Sequence, residues 1–418
     1  MGVPLRERLG ALTERDYRLL FSATTITTVG DRLAGIALAF AVLDLGSATD
    51  LGIVLGVRQG VEAVVLVFGG VLSDRLPRNL VLVGASGIQG VAQAVTAGIV
   101  LSGGASIGLI VAFQALYGVG AGFVVPAEVG LVPQTVSEAR LQQANALQGM
   151  SRNIVGVLGP AVGGVLVALG SPGSALAIDA VSFGVCALLL AQIRLAPRVA
   201  AAAREGYFSE LRSGWKEFTS HTWLWSTVGI FGLSNMFYVG SFFVLGPEIA
   251  NTEYGGASTW AVILSAGGVG AVLGSLVAIR VRPSRPLLAS VFAPLPMILT
   301  LVGLALAWPV WAIALASLLG GAGLSVHLTL WFTVFQREIP EHAQSRVSSY
   351  DALGSFVLIP VGMALVGPVS AAIVIEETLW LAVVIFLAAT AVIAALPSVW
   401  AIRAPAADRD NAPTMPAS

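Results

Sequence analysis

The sequence predicts an all-α membrane protein with twelve transmembrane helices in two six-helix pseudo-repeat bundles, and three observations carry that expectation. Of 418 residues, 56% are hydrophobic and 11% charged, whereas an ordinary soluble chain carries about 25% charged residues. Apolar runs recur almost from end to end, each near the length of about 20 residues that crosses a hydrocarbon core of about 30 Å. The basic residues fall in alternate connections between those runs. Backbone N–H and C=O groups have no water to bond inside a bilayer, so each run is expected to be a helix, which satisfies them internally.

In chain order the predicted spans are Tyr17 to Leu45, Leu51 to Leu72, Leu80 to Leu101, Ile107 to Val129, Ala146 to Leu169 and Ser174 to Ile193. After the one long hydrophilic interruption come Trp223 to Leu245, Ser258 to Ile279, Pro286 to Ala307, Val310 to Phe335, Ser348 to Val369 and Leu379 to Trp400. The domain expectation is a cytoplasmic N-terminus (1–16), an N-terminal bundle (17–193), a cytoplasmic linker (194–222), a C-terminal bundle (223–400) and a disordered cytoplasmic tail (401–418). No short cleavable signal precedes the first run, which is therefore expected to be a retained anchor.

Orientation follows from the Lys/Arg excess of cytoplasmic loops. Arg6, Arg8 and Arg15 precede the first span and Arg18 sits at its opening edge. Arg75 and Arg78, then Arg140, then Arg194 to Lys216, then Arg280, Arg282 and Arg285, then Arg337 and Arg346, and finally Arg403 and Arg409 occupy every second connection. Of the 22 basic residues only Arg32, Arg58 and Arg152 lie deep inside spans, away from their ends. Both termini are thus expected in the cytoplasm, with the chain in a bacterial cytoplasmic membrane. The halves also align: a shift of about 204 residues lays "GSLVAIRVR" (274–282) over "GVLSDRLPR" (70–78), and Asn235 over Asp31. Two six-helix repeats around a central site are a transporter architecture.

The junction "GGVLSDRLPRN" (69–79) joins the second and third spans. Its glycines permit close helix approach, and an acid and two bases sit at the membrane surface. The pattern of Gly70, Leu72, Ser73, Asp74, Arg75 and Arg78 resembles the loop between helices 2 and 3 of the major facilitator superfamily. That resemblance implies a cytoplasmic latch of Gly70, Asp74, Arg75, Arg78 and Glu128, in which Asp74 and Arg78 engage Glu128, at the end of the fourth span, and the start of the eleventh span near Ser348. "GVLGPAVGG" (156–164), with Gly156, Gly159, Pro160, Gly163 and Gly164, resembles the fifth-helix motif of drug and metabolite antiporters, although Val155 stands where that motif has glycine. The opening "LTERDYRLLFSATTITTVGDRLAGIALAF" (12–40) resembles the enterobactin-exporter and macrolide-efflux branch of drug–proton antiporters. Gln114 stands where many drug–proton antiporters carry a fourth-helix arginine, so any proton coupling must use another base.

Charges at a bilayer centre cost about 2.5–3.5 kcal/mol on insertion scales and usually face the bundle interior. Arg58 and Glu62 are four residues apart and share a helix face. Because the first two spans run antiparallel, Asp31 and Glu62 fall at similar depth. Asp31, Arg58 and Glu62 are therefore expected to form a midplane network in which one carboxylate exchanges protons, or else a fully paired structural one. Arg152 is expected to neutralise a substrate anion or Asp31, or to satisfy backbone. Asp179 is expected to pair with a neighbouring polar group or to lie near the outer surface. His327 is expected to bond between helices or to relay protons.

Gln89, Gln93 and Gln114, with Asn235, Phe237 and Tyr238 of "SNMFYVGSFF" (234–243), are the substrate-cavity candidates, suited to a bulky amphipathic compound. No His/Cys cluster has metal-ligand spacing and no phosphate-binding G-x-x-x-x-G-K-[ST] loop occurs. No metal, cofactor or enzymatic activity is expected, and the single Cys186 excludes an intramolecular disulfide. The expected function is secondary active export, by alternating access, of a largely apolar or amphipathic compound such as a drug, siderophore or secondary metabolite. Proton antiport, a monomeric state, and no nucleic-acid partner complete it. The alternatives are an uptake symporter on the same fold and a membrane sensor or scaffold that does not transport.

Overall fold

A computed structural model of the chain describes residues 10–195 and 207–404, without the side chains of 67–75 and 207–211. Among the described residues the long elements are all helices. The first six are α1 (Arg15–Leu43), α2 (Ala48–Arg75), α3 (Arg78–Leu101), α4 (Ile107–Thr135), α5 (Leu141–Leu169) and α6 (Pro172–Ala191). The polar interruption contains a helix of its own, α7 (Tyr207–Ser220). There follow α8 (Thr222–Gly240), which passes through a π turn at Ser241–Leu245 into α9 (Gly246–Glu253), then α10 (Ala257–Ala278), α11 (Pro286–Phe292) and α12 (Ile298–Ala305). The chain ends with α13 (Val310–Glu338), α14 (Glu341–Phe356), α15 (Ile359–Ile373), α16 (Ile375–Ala395) and the short α17 (Pro397–Ala401).

Among the described residues eleven helical stretches are long and apolar enough to cross a membrane, and the 28-residue α2 between the first and second of these is a twelfth long helix. The span 286–305 is broken between α11 and α12, where Pro294 and Pro296 remove backbone donors. Some boundaries depart from expectation: the fourth helix runs on to Thr135 past Val129, the fifth starts at Leu141 before Ala146, and, by the largest margin of any start, the eleventh span begins at Glu341 and not near Ser348. Its opening turns, Glu341 to Val347, are too polar for an apolar run to reveal. Pro340 occupies the N-cap and Glu341 the first turn, where a carboxylate meets the positive end of the helix.

Contacts divide the chain into two compact units. The first holds 1–199, 243–265 and 360–371. In it α6 packs along α3 and α1, and α4 packs along α2 and α3. The Tyr17 hydroxyl donates to the Ala144 carbonyl at 2.7 Å, fixing α1 against α5. In lipid, association relies on close packing of small residues. At Gly164 of α5 a side chain would run into the methyl of Ala261 on α10, so this crossing needs glycine. The second unit holds 200–242, 266–359 and 372–418, around a core that includes Trp223, Trp331, Val334 and Phe335. Large side chains such as Leu169 and Trp311 stay exposed on the outer faces, as lipid-facing residues do.

Candidate transport site

Midway along α1, Asp31 accepts a hydrogen bond from the Tyr117 hydroxyl of α4. Over the same ring lies Arg58 of α2, its Cζ 3.8 Å from the centroid. Such cation–π contacts contribute about 0.5–2 kcal/mol, more as the site loses water. Glu62 follows Arg58 by one helical turn and lies within electrostatic reach of both Arg58 and Asp31. The three residues expected in one network are therefore neighbours, with Tyr117 between the cation and the first acid.

The cluster continues away from α1. Arg58 Nη1 donates to Gln114 Oε1 at 3.5 Å, Gln114 Nε2 donates to Gln93 Oε1 at 3.2 Å, and Gln93 Nε2 donates to Asp179 Oδ2 at 2.8 Å. The Ser182 hydroxyl lies 3.3 Å from Asp179 Oδ1. Gln93, Gln114 and Asp179 are all 0% exposed, and Gln89, 4% exposed, packs against Gly120. The glutamines proposed for the cavity thus sit among α3, α4 and α6, and two of them are spent on one another.

Arg152 sits apart from Asp31. Its Nη1 is 3.8 Å from Glu128 Oε1, and the two line a cavity of about 40 Å³ with Thr24, Thr25, Thr28, Gln148 and Ser151. Thr25 and Ser151 hydroxyls meet at 2.9 Å, while the buried Gln148 Nε2 has no hydrogen-bond partner in the protein. One water needs about 10–15 Å³ of such space, so the cavity has room for about three waters or for one polar group of a ligand.

Of the latch residues, Gly70, Asp74 and Arg75 lie outside the described side chains. The guanidinium of Arg78 occupies the space that a side chain at Gly130 would need, one short step along α4 from Glu128. The fifth-helix motif packs in two directions. A side chain at Gly159 would meet the Cβ of Arg32 at 2.5 Å and one at Gly163 the Cα of Leu33 at 3.1 Å, both on α1, whereas Gly164 faces Ala261. Pro160 is buried within α5, and Gly156 faces open space.

In the second unit, Asn235 Nδ2 donates to the Ser355 carbonyl at 3.3 Å. Tyr238 is buried, its ring 5.9 Å from Phe242 and 5.8 Å from Phe386, while Phe237 is half-buried. His327 is held at Nδ1 by Ser290, 2.9 Å away, and stacked beside Phe231 and Trp331. Asp351 accepts from Trp331 Nε1 at 3.0 Å.

Sequence reasoning missed Tyr117 and Gln148. Tyr117 had a usable signal, since it follows Gln114 by three residues and so shares its helix face. Gln148 had none, because its importance comes from a cavity that three helices make together.

Comparison with known proteins places these features in context. The family model described as "Major Facilitator Superfamily" matches residues 20–363. The enterobactin exporter EntS of Salmonella choleraesuis (strain SC-B67) is 26% identical over 387 residues, covering 86% of this chain and 88% of the relative. The enterobactin exporter EntS of Escherichia coli O9:H4 (strain HS) is 26% identical over 375 residues with the same coverage. Among solved structures, a bacterial homolog of the human lysosomal transporter Spinster aligns with a TM-score of 0.71 at 14% identity, over 94% of this chain and 99% of its own. A bacterial homologue of the iron transporter ferroportin aligns with a TM-score of 0.68 at 18% identity, over 90% and 98% respectively.

Proposed function

Since the chain belongs to the major facilitator superfamily, we propose that it is a secondary active exporter of a small, largely apolar or amphipathic compound, driven by proton entry. It is a multi-pass membrane transporter and not an enzyme. Export is supported by relatives that are enterobactin exporters, which makes siderophore-like compounds the first class to test. Antiport is supported by one observation above others: a half-buried carboxylate, Asp31, at the centre of a span and bonded to a neutral phenol, with the nearest interior cation, Arg58, held over the face of that phenol's ring. A carboxyl so placed can change protonation without dismantling an ion pair, and burial makes the charged form costly. Both termini lie in the cytoplasm in this reading, with the basic connections beside them.

The test is accumulation of siderophore-like and cytotoxic compounds in cells expressing the chain, with and without a proton-gradient collapser. Lower accumulation, abolished by the collapser, is expected; higher accumulation that the collapser reverses would make it an uptake symporter. In reconstituted vesicles, Asp31→Asn and Glu62→Gln are each expected to retain substrate binding, while at least one loses substrate-driven proton movement. Unaltered proton movement in both would move the coupling site elsewhere.

A further inference from the structure

Asp179 lies on α6, eight residues into a 20-residue helix and so about 10 Å from its start at 1.5 Å per residue. It is 0% exposed, and its partners are an amide and a hydroxyl. Among the described residues no Lys, Arg or His forms an ion pair with it. The glycine at position 30 is what lets it in, because a side chain there would collide with both Asp179 Oδ1 and Ser182 Oγ. A carboxyl in such surroundings either finds a cation or carries a proton.

Charged groups face it from several of the helices packed around it. From α1 comes Asp31, while Arg32 is exposed and lies on Gly159 of α5. From α2 comes Arg58, with Glu62 one turn on beside Arg58 and Asp31, and from α4 the phenol of Tyr117. In α3 the only charged residue is Arg78 at its first position, and α6 contains no other charge. Arg152 of α5 is paired with Glu128. Three carboxylates, Asp31, Glu62 and Asp179, therefore share one interior guanidinium. Of the three, Asp31 and Glu62 are partly exposed and have Arg58 close by, whereas Asp179 meets Arg58 only through two amides.

We propose that Asp179 is a proton-holding carboxyl of the transporter, linked to Arg58 and Asp31 through Gln93, Gln114 and Tyr117. The proposal rests on the proton-coupled reading given above and adds a second carboxyl to it. The amide donors all point one way, from Arg58 to Gln114, to Gln93, to Asp179 Oδ2. When alternating access opens Asp179 to water and its proton leaves there, this row carries the polarisation of the guanidinium to the new carboxylate. When the proton is bound at Oδ1, the carboxyl donates to the Ser182 hydroxyl, and Arg58 is left to Asp31 and Glu62. The amides transmit the charge state and do not themselves move the proton.

The experiment needs no substrate: infrared spectra of the full chain in lipid, recorded as a function of pH and in light and heavy water. Wild type is expected to show the C=O band of a protonated carboxylic acid at neutral pH, shifted in heavy water and lost in Asp179→Asn. Gln93→Leu keeps the carboxyl but removes its amide donor, so the band is expected to move to higher frequency; this decides the matter should Asp179→Asn not insert. Asp31→Asn is expected to change the pH at which the band disappears. Absence of the band in wild type, its survival in Asp179→Asn, or a band indifferent to Gln93→Leu would overturn the assignment, and indifference to Asp31→Asn would overturn the link. Failure of proton-coupled export appears separately, as wild-type vesicles that move no protons with any tested compound while the band is intact.

Discussion

Arg58 and Asp31 meet through different parts of Tyr117: the guanidinium rests 3.8 Å from the ring centroid and the carboxylate accepts the hydroxyl's hydrogen bond. One side chain from α4 thereby fixes a cation on α2 and an acid on α1. A residue of this kind separates two contributions that are normally lost together, since the ring and the hydroxyl can be removed one at a time.

Tyr117→Phe keeps the ring and deletes the donor to Asp31. Hydrogen bonds to charged groups contribute about 1.5–3 kcal/mol, so thermal unfolding in detergent should report a loss in that range. Tyr117→Leu should cost a further 0.5–2 kcal/mol or so, from the cation–π contact. Equal stability of the two variants would mean that the ring contact contributes nothing.

Arg152→Gln and Glu128→Gln test the second polar site. The Arg152 side chain is 59% exposed and that of Glu128 19% exposed, so the pair is screened, and a double-mutant cycle should give a coupling of about 1 kcal/mol or less. Transport should fall more than stability does in either single variant if the cavity between them takes a polar group of the substrate, for which it has room. Wild-type efflux from both variants would make the site structural.

Gly164→Ala places a methyl group against Ala261. Overpacking of this size costs about 1–3 kcal/mol, and Ala261→Gly on the same chain should recover part of it. The measurement is the melting temperature of the single and double variants. A double variant no more stable than Gly164→Ala alone would show that the Ala257 carbonyl, 3.1 Å from the added carbon, is the real obstruction.

Asp74→Asn tests the latch at the junction of α2 and α3. We expect weakened efflux with undiminished membrane insertion, compared by transport assay and by quantifying the protein in membrane fractions. Glu128→Gln should behave in the same direction. Efflux equal to wild type in both variants would remove the latch from the mechanism.

What the sequence by itself determined was whatever depends on neighbours along the chain. The spans follow from apolar runs, and the family resemblance from the junction at 69–79. The shared face of Arg58 and Glu62 follows from a spacing of four. The start of α14 escaped because its first turns are polar, and a hydropathy reading registers lipid-facing turns only. The tertiary structure decided the partnerships between helices, which depend on how each helix is rotated and how deep each residue sits. Composition cannot fix either quantity to within the length of a hydrogen bond. Arg152 could have met Asp31, yet it lies beside Glu128. Asp179 could have faced outward, but the missing side chain at Gly30 lets α6 approach α1 closely enough to bury it at the end of the Gln114–Gln93 row.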